Sequence, residues 1–208
     1  MSAYITNDTK TMLLMNQARW YDTLKHIHDF DETHPLETRY DLLFQADDIM
    51  KKLEIKYWLT NGSALGLVRD DQLIPWDDDI DIDVYSEDLV PNFHQMVMSL
   101  VNSGFICRAV ERGATSKVSA FKDNFKISIS GIYLEDNFRR SKFRLYPKEF
   151  FENSVEYKIK DRVFNIPGPV DEYLSFIYKD WKTPLKANYV QADFLNNRIP
   201  MKYNKKEN

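Results

Sequence analysis

Apolar and polar positions along this chain follow two periods. Over residues 36–53 the apolar side chains Leu36, Tyr40, Leu43, Met50 and Leu53 recur at three- and four-residue spacing, with Leu42, Ala46 and Ile49 widening the stripe. That period predicts a helix with one buried face. Residues 11–30 carry a looser version through Leu13, Trp20, Leu24 and Ile27, separated from the first by the polar turn of residues 31–35. Tyr57-Trp58-Leu59 reads as a short buried strand. Asn61-Gly62-Ser63 breaks it, residues 64–68 suit one or two helical turns, and Arg69-Asp70-Asp71-Gln72 is a polar loop.

The period then changes to two. In residues 77–84, Asp77, Asp79, Asp81 and Asp83 alternate with Ile80, Ile82 and Val84. A strand puts the carboxylates on one face and the aliphatic groups on the other. Beyond it, Ser86 is placed to N-cap a helix running to about residue 101, with Glu87 and Asp88 in its first turn. Residues 105–110, 117–122 and 126–134 alternate as strands, and 155–159 with 162–166 form a hairpin. Pro167-Gly168-Pro169 ends the hairpin, and Asp171 is placed to cap a last helix through Tyr178. Interleaved helices and strands predict one mixed α/β (α+β) domain over residues 36–190, after an N-terminal polar segment and helix (1–35) and before a loose basic tail (191–208).

Composition narrows the function. The 208 residues are 43% hydrophobic and 14% aromatic, enough for a substantial core, and the net charge of −4 argues against a general nucleic-acid binder. Cys107 is the only cysteine, so no intramolecular disulfide or Cys-based zinc finger forms, and it reads as a small buried apolar group. No apolar run approaches the length of a membrane span or a signal segment, so the expectation is a soluble, cytoplasmic protein. His26 and His28, two apart on a helix, face different ways, and His94 reads as a surface residue.

The carboxylate row carries the candidate chemistry. Like charges on one strand face repel unless a cation or solvent neutralises them. A calcium loop of the EF-hand kind is excluded, because the sixth and twelfth positions counted from Asp77 are Ile82 and Asp88. A divalent-metal site of Asp79 and Asp81 outweighs a merely solvated acidic turn because Gly62 and Ser63 precede it. Glycine admits phosphate to the backbone, serine adds a hydroxyl, and the following helix start favours an anion. Mg2+ or Mn2+ prefers carboxylate and phosphate oxygens, so it would sit between the aspartates and a diphosphate, and the implied chemistry is transfer at phosphorus. Residues 117–148 are rich in Lys and Arg: a solvated basic face is one reading, and phosphate contacts from Arg69, Lys122 and Arg139 the other. Trp76 reads first as a core side chain that fixes the strand, with stacking on a base or sugar as the alternative. Tyr173 and Trp181 read as packing residues.

A Gly-Ser turn ahead of an Asp-x-Asp strand resembles the nucleotidyltransferase superfamily, which implies a mixed sheet flanked by helices. The segment 57–84, YWLTNGSALGLVRDDQLIPWDDDIDIDV, resembles the LicD family of phosphorylcholine transferases and fukutin-related proteins. The matching positions are Gly62, Ser63, Ala64, Leu65, Gly66, Arg69, Ile74, Pro75, Trp76, Asp77, Asp79 and Asp81. Residues 167–184 are similar to the family's closing segment through Glu172, Tyr173, Leu174, Tyr178, Trp181 and Pro184, with Lys179 where the family has glycine. The resemblance implies a metal-dependent enzyme that moves a phospho-alcohol from a CDP-linked donor to a glycan hydroxyl. Asp79 and Asp81 would bind the metal, Gly62 and Ser63 the phosphate, Asp83 would be a further ligand and Asp77 a supporting group.

One departure stands out. The superfamily's third carboxylate, from a later strand, is replaced by serine in Lys126-Ile127-Ser128-Ile129-Ser130. Asp83, Asp123 or Asp136 would have to substitute. Two other functions therefore stand beside the first: a glycosyltransferase using a nucleotide-sugar, and a member that binds nucleotide or glycan without turnover.

Overall fold

The computed structural model describes residues 35–142, 144–178 and 180–184. The helix expected at 11–30, the histidines within it and the basic tail lie outside these residues. Helix α1 (Leu36–Lys52) buries Leu42, Leu43, Ala46, Ile49 and Met50, as its period requires, but also Arg39 and Asp47. Strand β1 (Tyr57–Leu59) leads into α2 (Asn61–Asp70), and β2 (Asp79–Tyr85) into α3 (Ser86–Asn102). Strands β3 (Ile106–Val110), β4 (Lys117–Lys122) and β5 (Phe125–Glu135) follow. Short strands β6 (Phe138–Arg140) and β7 (Leu145–Pro147) extend the sheet, and α4 (Glu149–Glu152) leads to the hairpin of β8 (Val155–Ile159) and β9 (Arg162–Ile166). Helix α5 (Val170–Ile177) is the last described.

The main sheet has the order β1-β2-β5-β4-β3, with β6 and β7 extending from β5. Only β2 and β5 are parallel; every other pair in it is antiparallel. Register fixes the faces. Ile80 and Ile82 stand beside Ile127 and Ile129, which stand beside Ala120 and Val118. These aliphatic side chains are at most 1% exposed. Helices α1 and α3 pack against each other and against β2 and β5. The opposite face carries Asp79, Asp81 and Asp83 beside Lys126, Ser128 and Ser130. The hairpin closes the β1 edge, where Phe164 meets Tyr57 edge-on and Asn165 Nδ2 donates to the Tyr57 carbonyl at 3.3 Å.

Three local expectations are corrected. Asn61-Gly62-Ser63 is not a break but the first turn of α2, which continues to Asp70. Asn61 opens it with φ +46, a left-handed conformation that asparagine tolerates better than most residues. Its N–H donates to the Tyr173 hydroxyl (3.3 Å) and its Oδ1 accepts from Arg144 Nη1 (3.2 Å). Ser86 is inside α3 rather than capping it: Tyr85 is the N-cap, and Ser86 Oγ donates instead to the Ala114 carbonyl. Asp171 likewise sits in the first turn of α5 behind the cap residue Pro169.

Candidate active site

The site forms where the loop between α2 and β2 folds back along α2. Gly62 and Gly66, one helical turn apart, permit this. A Cβ on Gly66 would lie 2.6 Å from the Gln72 carbonyl oxygen and 2.8 Å from the Ile74 nitrogen, and a Cβ on Gly62 would overlap Asp77 Oδ2. The Asp77 carboxylate is thereby laid against the first turn of α2, where no side chain caps the helix. Ser63 Oγ accepts the Asp81 N–H at 2.9 Å, which joins that turn to β2. The arrangement has the electrostatics of an anion site at a helix N-terminus, but with a carboxylate already at its edge.

Strand β2 begins at Asp79, so Asp77 and Asp78 belong to the turn before it and not to the strand face. Among the described residues, the carboxylates able to converge on one ion are Asp77, Asp78 and Asp79, whose ligand oxygens lie within 4.8 Å of one another. Asp81 shares their field: burial, then Asp79, Asp77 and Asp83, raise its carboxyl well above the usual range. Burial, then Asp79 and Asp78, push Asp77 up to about 7. Asp83 is also pushed up to about 7 by burial, against the pull of Thr60, Lys117 and Arg144. At about 3.3 Å per residue along a strand, Asp83 stands at the far end of the row from Asp79.

The cations that act on these aspartates include Lys126, Lys117 and Arg144. Lys126 Nζ lies 3.0 Å from Asp79 Oδ2 and 3.6 Å from Asp78 Oδ2. Burial works against its charge, but Asp79 and Asp78 outweigh that and raise its pKa. Ser128 Oγ donates to the same Asp79 Oδ2 at 2.9 Å. The departure read from the sequence is thus located: serine stands in register with Asp81, in contact with Asp79. Asp123 and Asp136 sit in the turns flanking β5, each at positive φ, and neither joins the convergent carboxylates.

Three residues expected near phosphate lie elsewhere. Arg69, in the last turn of α2, is held by both oxygens of Asp70 at 2.9 and 2.6 Å. Lys122 is on the helix-covered face, donating to Gln45 Oε1 (2.7 Å) and the Ser103 carbonyl (2.9 Å). Arg139, on β6, pairs with Glu87 at 2.7 Å and lies over the Tyr85 ring. Trp76 corrects the core assignment, being 39% exposed beside Asp77. Tyr173 is buried, Trp181 packs partly buried against the core, and the Cys107 thiol is buried and pushed up to about 12. His94 is exposed and lies 3.4 Å from Glu111.

Three residues that the sequence does not single out for the site belong to it. Arg39, 3% exposed, reaches from α1 to the carbonyls of Ile74 (2.7 Å), Pro75 (2.6 Å) and Asp77 (3.1 Å), and so holds the loop that presents Trp76 and Asp77. A charged residue on the apolar stripe of α1 was the available signal. Tyr178, in the closing segment, is buried in the field of Asp81 and Asp77. Arg144 is buried beside Asp83 at the start of α2.

The donor set is entirely oxygen, and Asp78 Oδ1, Asp79 Oδ1 and Asp83 Oδ2 are buried without a hydrogen-bond partner. Such groups suit a hard divalent cation. A helix N-terminus facing a carboxylate strand in a mixed sheet is the architecture of a nucleotidyltransferase-type transferase. Residues 54–168 match the sequence model of the LicD/FKTN/FKRP nucleotidyltransferase domain, and the chain belongs to that family. The uncharacterized protein RP689 of Rickettsia prowazekii is 29% identical over 155 residues, covering 68% of this chain and 54% of its own length. The chain spans about half the length of this relative and of a similar one from Rickettsia typhi. Ribitol 5-phosphate transferase FKRP of Mus musculus is 42% identical over 41 residues, 20% of this chain and 8% of that protein. The solution structure of the antibiotic-resistance factor ANT(2'')-Ia aligns with a TM-score of 0.46 at 16% identity, over 63% of this chain and 65% of the other. No helix among the described residues is long and apolar enough to cross a membrane.

Proposed function

We propose that this chain is a metal-dependent phosphotransferase that moves a phospho-alcohol, such as phosphocholine or an alditol phosphate, from a CDP-linked donor to a glycan hydroxyl. One observation carries the reading: the Asp77 carboxylate lies against the uncapped first turn of α2 and converges with Asp78 and Asp79, with Asp81 in their field. Asp79 and Asp81 hold Mg2+ or Mn2+ in this reading, and Asp77 and Asp78 support them. The bound ion supplies charge neutralisation on the diphosphate and on the leaving group. The backbone at Gly62 and Ser63 receives phosphate oxygens. Ser63, whose oxygen accepts the Asp81 N–H, keeps its own hydroxyl proton to donate. Asp83, with Lys117 and Arg144 beside it, tunes the charge at the far end of the row. Trp76 offers an exposed ring for a base or sugar.

In the transfer, the acceptor oxygen bonds to the phosphorus that carries the alcohol. The bond from that phosphorus to the bridging oxygen breaks, CMP leaves with the electron pair, and the acceptor proton passes to water. A loose transition state at phosphorus asks for positioning and charge more than for a dedicated base, so Ser128 is compatible with turnover. Ser128 in place of a carboxylate also favours a second reading, a member that binds nucleotide without turnover. Incubation with CDP-choline or CDP-ribitol, Mn2+ and a panel of glycans separates the two. The first reading predicts CMP release that excess EDTA abolishes, and equal release in EDTA overturns it. Mn2+-dependent binding with no CMP release on any acceptor supports the second.

A further inference from the structure

The position opposite Asp79 on β5 is filled by a lysine, and the neighbouring position opposite Asp81 by a serine. The two act on one atom. Asp79 Oδ2 accepts from Ser128 Oγ at 2.9 Å and lies 3.0 Å from Lys126 Nζ, while Asp79 Oδ1, on a residue 7% exposed, has no partner. The carboxylate is divided: one oxygen is satisfied by this chain's own donors and the other is open. Lys126 also lies 3.6 Å from Asp78 Oδ2, whose Oδ1 is likewise buried and without a partner. Lys126 is only 22% exposed, so its charge acts on these carboxylates with little screening by water.

A divalent ion on the Oδ2 side of Asp79 would lie against the Lys126 ammonium and the Ser128 hydroxyl, which donates where a carboxylate would accept. We propose that Lys126 is a resident cation that takes the Oδ2 side of Asp79 in place of a metal ion, so that this chain binds one divalent ion and not two. The inference rests on the metal-binding reading above. It makes Lys126 a positioning and specificity-determining residue: it neutralises the Oδ2 side of Asp79, directs the ion to the open oxygens, and weakens the ion's binding by like-charge repulsion.

The test is titration of the full chain with Mn2+, following the free-ion signal by electron paramagnetic resonance, with folding of each variant checked by circular dichroism. The wild type is expected to bind one ion. Lys126→Gln binds one ion at least about ten-fold more tightly. Lys126→Arg, which keeps the charge, stays within about two-fold of the wild type. Lys126→Gln/Ser128→Asp, which restores a carboxylate and removes the ammonium, binds two. Two ions in the wild type, unchanged or weaker binding in Lys126→Gln, or one ion in the folded double variant overturns the inference while leaving the metal reading intact. No ion bound by any of these proteins overturns the metal reading itself. An ion bound only once Lys126 is removed overturns both, since the lysine would then replace the metal altogether.

Discussion

The Asp77 carboxylate lies so close to Gly62 that a Cβ at that glycine would overlap Oδ2 and stand 3.2 Å from Cγ. The glycine therefore leaves room for a carboxylate, and through it for whatever cation that carboxylate helps to hold. Gly62→Ala is the direct test. Alanine in place of a helical glycine ordinarily stabilises by up to about 1 kcal/mol, so the fold should survive. The displaced Asp77 is expected to weaken Mn2+ binding about ten-fold, measured by titration. An unchanged affinity would show that Asp77 lies outside the metal's reach.

Arg39 makes a second prediction. Its guanidinium holds three loop carbonyls and lies over the Phe125 ring. Arg39→Met leaves those carbonyls without donors and is expected to cost about 2–4 kcal/mol of stability, read by urea unfolding. The loosened loop should also lower Mn2+ affinity. Arg39→Lys, a point charge without the planar fork, is expected to recover only part of both.

Asp47 supplies the contrast. It is 1% exposed and accepts from Tyr57 (2.8 Å), Lys51 (2.8 Å) and Arg162 (2.7 Å), tying α1 to β1 and to the hairpin. Asp47→Ala is expected to destabilise by about 2–4 kcal/mol, a fall in melting temperature of roughly 5–15 °C, with Mn2+ affinity within about two-fold of wild type. A large loss of metal affinity in a chain still folded would contradict the separation of fold from site.

The pH dependence of stability follows from Asp83. Its carboxyl is pushed up to about 7 by burial, whereas an unfolded aspartate titrates near ~3.9. Between those values the native chain holds a proton that the unfolded chain has released, so stability falls as pH rises through that window. Asp83→Asn removes the cost of the buried charge. In EDTA, the variant should be more stable than the wild type at pH 8, by no more than about 4 kcal/mol in urea unfolding, and the gap should close toward pH 4. A gap of the same size at both pH values would contradict this.

Much of the fold was legible because burial follows period. The alternation of Ile80, Ile82 and Val84 against the aspartates predicted which face of β2 meets the helices, and the stripe on α1 predicted its burial. The partners of the loops were not legible, because they are set by contacts far apart in sequence. Arg39 reaches carbonyls 35 to 38 residues away. Lys122 and Lys117 lie on one strand, yet their opposite parity sends one to the helices and the other to the aspartates. Charge density alone could not separate them, while register could have. A tryptophan beside a buried strand suits the core by composition alone, but the turn before Asp79 carries Trp76 outward, which leaves its ring open for stacking.

In the proposed function, the aspartates and the first turn of α2 together hold a metal and a CDP-linked donor. Thermal stabilisation by CDP-choline and CDP-ribitol, set against UDP- and GDP-sugars, each with Mn2+ and with EDTA, tests it most directly. The expected result is a rise in melting temperature that requires both a CDP-alcohol and Mn2+, and that Asp79→Asn and Asp81→Asn abolish while remaining folded. A rise that persists in EDTA, survives in both variants, or is larger with the nucleotide-sugars would contradict it.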